Sequence, residues 1–183
     1  MLELFLGGAR SGKSRLAEQR IDWYRQTDAL VDIAAIYIAT ATAGDSEMQQ
    51  RIKHHRQQRD DASRVLWQTI EVPLQLGAAL RTINTPQQLV LVDCLTLWLS
   101  NCLHQGDDCW QQERRDFFAE LEEFSGTLIM VSNEVGQGIV PLGELSRRFV
   151  DEAGRLHQDI AARADRVLFC IAGLPQVLKG LPI

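Results

Sequence analysis

Leu2-Glu3-Leu4-Phe5-Leu6-Gly7-Gly8-Ala9-Arg10-Ser11-Gly12-Lys13-Ser14-Arg15-Leu16-Ala17 opens on a short apolar run, turns through glycine and enters a stretch with helical spacing. Residues 7–14 fit G-x-x-x-x-G-K-[ST]. In that pattern successive backbone N–H groups and a helix N-terminus form an anion nest; the lysine, here Lys13, reaches the β and γ phosphates, and Ser14 can ligate Mg²⁺. A glycine-rich turn without a ligand is the plainer reading. The flanking context favours phosphate, because an apolar strand leads in and Leu16, Ala17, Ile21 and Tyr24 recur at helical spacing afterwards.

Working outward, further apolar runs lie at 34–40, 65–72, 88–93, 127–132 and 166–172, dense in Val, Ile and Leu and several without alternation. Strands buried on both faces of a parallel sheet read this way. Helix-like stretches separate them, as with Phe117, Leu121 and Phe124 before the fifth run. The alternation predicts an α/β, P-loop NTPase-type three-layer fold with a mostly parallel central sheet. The spacing also predicts a surface loop from Gln105 to Cys109 and places Pro141 in the first turn of a helix.

The chain has 183 residues, 45% hydrophobic and 23% charged, which suits one catalytic domain over residues 1–183. A formal charge of -5 argues against a broad basic surface for nucleic acid or anionic membrane. The best apolar stretch, 89–103, is interrupted by Asp93 and Ser100 and falls short of a membrane span. With no basic leader before the glycine motif, the expected location is cytoplasmic. Cys94, Cys102, Cys109 and Cys170 show no zinc-like spacing and read as buried or free thiols.

Two further constellations carry chemistry. Gln88-Leu89-Val90-Leu91-Val92-Asp93 delivers a carboxylate to the end of an apolar run, where Asp93 holds Mg²⁺ or its water shell, or else caps the strand end. Asp45-Ser46-Glu47-Met48-Gln49 begins a helix with a capping-box pattern, and Met48, Ile52, His55 and Arg59 then share one face. Arg51, Lys53, Arg56 and Arg59 surround His55. Nearby cations disfavour the imidazolium and leave a neutral nucleophile, while the same cations suit a polyphosphate. A solvated basic face is the plainer account of the spacing, and the adjacent pair His54 and His55 on a metal is a further one.

Taken in order, five segments carry a resemblance. They are Gly7-Gly8-Ala9-Arg10-Ser11-Gly12-Lys13-Ser14; Tyr37-Ile38-Ala39-Thr40; Arg51-Ile52-Lys53-His54-His55-Arg56-Gln57-Gln58-Arg59; Val92-Asp93-Cys94-Leu95-Thr96-Leu97-Trp98-Leu99-Ser100-Asn101; and Ser132-Asn133-Glu134-Val135-Gly136-Gln137-Gly138-Ile139-Val140-Pro141. The set closely resembles the bifunctional adenosylcobinamide kinase / adenosylcobinamide-phosphate guanylyltransferase family of cobalamin biosynthesis. That resemblance implies phosphorylation of adenosylcobinamide by ATP or GTP, then transfer of GMP from GTP, through a histidine intermediate, to the cobinamide phosphate. The histidine it implies is His55. The nucleotide contacts it implies are residues 7–14, Ala39, Thr40, Ala41, Arg56, Gln57, Gln58, Arg59, Glu71 and Asp93, with Ser14 and Asp93 on Mg²⁺. Glu71 suits a guanine edge or a ribose, and the 133–138 segment suits a substrate loop or a subunit contact. A homotrimer is implied as well.

Two departures stand out: a long segment from Gln26 to Ile33, and His157 where the family pattern leads one to expect Asn. The competing readings are a monofunctional P-loop small-molecule kinase, in which His55 only contacts phosphate, and a nucleotide-switch binding protein. A GMP label carried on the protein separates the first from the bifunctional enzyme. Partner binding that changes between nucleoside di- and triphosphate marks the second.

Overall fold

The computed structural model describes residues 1–27, 30, 33–42 and 65–182. Seven strands build one sheet: β1 (Leu2–Gly7), β2 (Ala35–Ala39), β3 (Trp67–Glu71), β4 (Leu89–Asp93), β5 (Thr127–Asn133), β6 (Arg166–Ile171) and β7 (Leu174–Lys179). Their spatial order is β3-β2-β4-β5-β1-β6-β7. All neighbours pair in parallel except β6 and β7. The helices among the described residues are α1 (Lys13–Thr27), α2 (Leu76–Ile83), α3 (Leu95–Gln105), α4 (Asp107–Glu123) and α5 (Glu144–Arg163).

Strand alternation divides the core into two layers of packing. Leu4, Leu6, Ile38, Val90, Val92, Leu128 and Met130 join a cluster with Leu80, Trp98, Phe117 and Leu156 from the four later helices. Phe5, Tyr37, Leu91, Ile129 and Val131 face the other way and meet Ala17, Ile21 and Tyr24 of α1. With both faces covered, a continuous Val/Ile/Leu run is what each central strand requires. The three-layer, mostly parallel arrangement is the one predicted.

Three local expectations are corrected. The stretch from Gln105 to Cys109 is not a loop: α3 ends at Gln105, Gly106 turns the chain at φ +114°, and α4 begins at Asp107. Asp107 and Asp108 favour a helix start through the positive N-terminal dipole. Pro141 precedes α5, which begins at Glu144. The third correction is β7 itself. Ile171 pairs with Leu174 across Ala172 (φ 53°) and Gly173 (φ 79°), the two-residue geometry of a type I′ hairpin. Its exposed face and Pro175 hide it from a search for buried strands, and both are admissible at a sheet edge.

At the sheet's N-terminal edge, Glu3 is fully buried. Its carboxylate accepts from Arg20 Nη2 at 3.0 Å and Tyr24 Oη at 2.6 Å, and pairs with Arg166. Burial, and then the carboxylate beside it, push the Tyr24 hydroxyl up to about 12. A buried carboxylate with two arginines is satisfied where a lone one would not be.

Candidate functional site

Parallel pairing fixes which residues share the C-terminal edge. Gly7 lies beside Asn133, Ala39 beside both Asp93 and Glu71, and Asp93 beside Val131. At about 4.8 Å between strands, Asp93 on β4 is two strands, or about 10 Å, from the start of the phosphate loop. Glu71, on the edge strand β3, is four strands away, or about 19 Å.

The loop itself is tightly determined. Arg10 (φ 56°) and Gly12 (φ 91°) take left-handed backbone, and the Ser11 N–H donates to Gly8 O at 3.3 Å. A Cβ at Gly7 would come within 2.6 Å of Cys170 O and of Ser11 Oγ. The loop therefore packs onto β6 with no room for a side chain at its first position. Lys13 donates from Nζ to Gly8 O at 3.0 Å, curling over its own loop. Its charge also reaches Cys94 and Cys170, lowering each thiol's pKa against the larger upward push of burial, which leaves Cys94 at about 11. Ser11 Oγ is buried with no hydrogen-bond partner among the described residues. An orphaned hydroxyl inside an anion nest suits a phosphate oxygen as its partner.

Asp93 Oδ2 accepts the Tyr37 hydroxyl at 3.0 Å. One carboxylate plus the Ser14 hydroxyl is a sufficient protein share for Mg²⁺, which takes most of its ligands from phosphate and water. Among the described residues no group of three or more His, Cys, Asp or Glu is arranged as a metal site. Thr40 is fully buried, and its hydroxyl is committed to the next turn: Oγ1 donates to Cys94 O at 2.7 Å and accepts from Cys94 N at 2.8 Å. Its N–H donates to Asp93 O at 3.2 Å, so both the hydroxyl and the N–H of Thr40 are already engaged within the protein. Ala39 and Ala41 are partly exposed at the same edge, and Glu71 is exposed at the end of β3. His55, Arg56, Gln57, Gln58 and Arg59 lie outside the described residues.

Several bracing residues escaped the sequence reading. Asn101 Nδ2 donates to Thr40 O at 2.9 Å and Pro73 O at 3.0 Å, tying the turns after β2 and β3 to α3. Thr96 Oγ1 accepts from Asn133 Nδ2 at 3.2 Å and joins the ends of β4 and β5. Gly173 N–H donates to Ser11 O at 2.9 Å, so the β6–β7 hairpin supports the phosphate loop from the far side. Asn101 and Thr96 were visible as members of a motif. Gly173 offers only an Ala-Gly pair after the last apolar run, which gives no sign of a contact with the 7–14 loop.

Residues 3–178 match the family described as cobinamide kinase / cobinamide phosphate guanyltransferase. The chain belongs to this family. Among its relatives, the bifunctional adenosylcobalamin biosynthesis protein CobP of Pseudomonas aeruginosa is 52% identical over 184 residues, covering 100% of both chains. The bifunctional adenosylcobalamin biosynthesis proteins CobU of Escherichia coli and Salmonella typhimurium are 36% and 33% identical over 193 residues, covering 98% of this chain and 100% of theirs. A KaiC-like protein of Pyrococcus horikoshii of known structure is similar over 91% of this chain and 69% of that one, at 14% identity and a TM-score of 0.49. In this cobinamide kinase / guanyltransferase the glycine-rich 7–14 segment follows β1 and Asp93 ends β4, both at one edge of the sheet.

Proposed function

We propose that the chain phosphorylates adenosylcobinamide from a triphosphate held at residues 7–14, and then transfers GMP from GTP to the resulting phosphate through His55, giving adenosylcobinamide-GDP. The observation that supports it most is the phosphate loop, whose hydroxyl Ser11 Oγ is buried without a partner, in a chain that matches the family over residues 3–178. In the first step a substrate hydroxyl attacks the γ-phosphorus, the bond to the β-phosphate oxygen breaks, and Lys13 with the loop N–H groups meets the charge that develops. Ser14 and Asp93 would hold Mg²⁺, which would supply charge neutralisation.

In the second step a neutral His55 nitrogen attacks the α-phosphorus of GTP and pyrophosphate leaves. A cobinamide phosphate oxygen then takes the GMP and frees the histidine. Arg56, Gln57, Gln58 and Arg59 are assigned to the nucleotide alongside it, Ala39, Thr40 and Ala41 to the turn that borders the nucleotide, and Glu71 to its base or ribose. The reading carries a cytoplasmic location and a homotrimer, with the exposed apolar residues Ile139, Val140, Leu142 and Leu145 as the surface between copies.

Incubation with α-labelled GTP tests the nucleotidyl step. An acid-labile, base-stable label on the protein is expected, lost in His55→Ala while phosphorylation of cobinamide from ATP persists. Phosphorylation without any protein label reduces the chain to a kinase.

A further inference from the structure

β5 carries a buried hydroxyl, Ser132, one residue before its end at Asn133, and a carboxylate, Glu134, follows the strand. Ser132 is fully buried, and its Oγ lies 2.7 Å from Nε2 of His157, a residue of α5 that is only 6% exposed. The other ring nitrogen, Nδ1, faces Glu134 Oε2 at 3.7 Å. Glu134 Oε1 accepts the Gly136 N–H at 2.6 Å, and the Glu134 N–H donates to Gly7 O at 3.0 Å. One arrangement of protons satisfies the set: Ser132 donates to Nε2, and Nδ1 carries its hydrogen toward the carboxylate. Burial holds the imidazole's pKa below its ordinary value, against the upward pull of Glu134.

This chain of contacts starts on a helix and ends on the first residue of the phosphate loop. Its middle is a turn with glycines at 136 and 138, both exposed, which has little internal rigidity. The Glu134 carboxylate is 20% exposed, and beside the Gly136 N–H of its own turn it is faced by a ring from another element. His157 stands behind it.

We propose that His157 is a positioning residue for phosphoryl transfer: acting through Glu134, it fixes the 133–138 turn against Gly7 and holds the mouth of the phosphate loop in its reactive shape. The inference rests on the kinase reaction assigned above. Misplacing a reacting group by about 1 Å costs on the order of 100-fold in rate, so a small shift of this turn is enough to register.

Steady-state phosphorylation of adenosylcobinamide by ATP tests it, with His157→Ala, His157→Asn, Glu134→Gln and the His157→Ala/Glu134→Gln pair. His157→Ala is expected to lower kcat about 10- to 100-fold with KM for ATP little changed, because Lys13 and the loop N–H groups are untouched. His157→Asn restores much of the rate, since its amide N–H donates near the place of Nδ1–H. The double variant is no slower than the slower single variant, the signature of one shared path. Full kcat in folded His157→Ala, or losses that multiply in the double variant, overturns the proposal, as does a uniform fall in melting temperature with kcat unchanged at 25 °C. If His157→Ala does not fold, His157→Asn and Glu134→Gln decide alone: normal kcat in Glu134→Gln overturns it. A wild-type protein that leaves cobinamide unphosphorylated overturns the kinase assignment instead.

Discussion

His157 also makes a residue-scale statement about pH. Burial favours the neutral ring, so its folded pKa lies below the ordinary value of 6.5 while the unfolded chain titrates near that value. Below about pH 6.5 the unfolded state therefore binds more protons than the folded state, and stability is lost as pH falls toward the folded pKa. Above that window the neutral-ring contribution is fully present. Urea midpoints at pH 5.5 and 7.5 are expected to show the lower value at 5.5, with the difference reduced in His157→Asn. An equal difference in the variant assigns the pH dependence to other groups. Glu134 is the charge that opposes burial here, and its pull is the smaller effect.

At the scale of elements, close packing replaces charge as the decisive term. A Cβ added at Gly77 of α2 would lie 2.7 Å from the Asp116 carbonyl carbon and 2.9 Å from Phe117 N, both backbone atoms of α4. Neither atom can rotate away. Gly77→Ala gains up to about 1 kcal/mol of helix propensity, but pushing two helices apart typically costs about 1–3 kcal/mol. The variant is expected to be destabilised, with a lower denaturation midpoint and an unchanged m-value; a gain in stability would mean that α2 shifts at no cost. Helix contacts of this kind are not legible in the sequence: nothing in Leu76-Gly77-Ala78-Ala79-Leu80 names α4 as its neighbour.

The central strands were legible because burial on both faces writes unbroken apolar runs, as in Leu89-Val90-Leu91-Val92. So was the strand-to-helix turn at residues 7–14, whose glycine pattern is local. The hairpin after β6 was not, since half-exposed edge strands obey no such pattern. Nor was the Glu3 network, because a glutamate at the third residue gives no hint that Arg20 and Arg166 converge on it. Pairings between residues 163 apart are written in the fold and nowhere in the spacing.

For the whole molecule, the turn after β5 presents a surface out of keeping with an acidic, polar exterior. Ile139 is 98% exposed and Leu142 96%, with Val140 and Leu145 beside them. Apolar residues scattered singly need no explanation, whereas a run of four calls for a partner. If that partner is another copy, Leu142→Glu is expected to shift sedimentation toward the monomer, with the Leu142→Met protein remaining assembled. Identical sedimentation of Leu142→Glu and the wild type would assign this surface to something else.

The brace that Gly173 gives to Ser11 bears on how the protein is made. Residues 7–14 are made before the residues that shape them: β1 is flanked by β5 and β6, and a hydrogen bond to Ser11 O comes from the N–H of Gly173. A nascent chain that already contains the entire nucleotide motif still lacks the walls that shape it. A chain cut short before the hairpin forfeits the brace while keeping every residue of the motif.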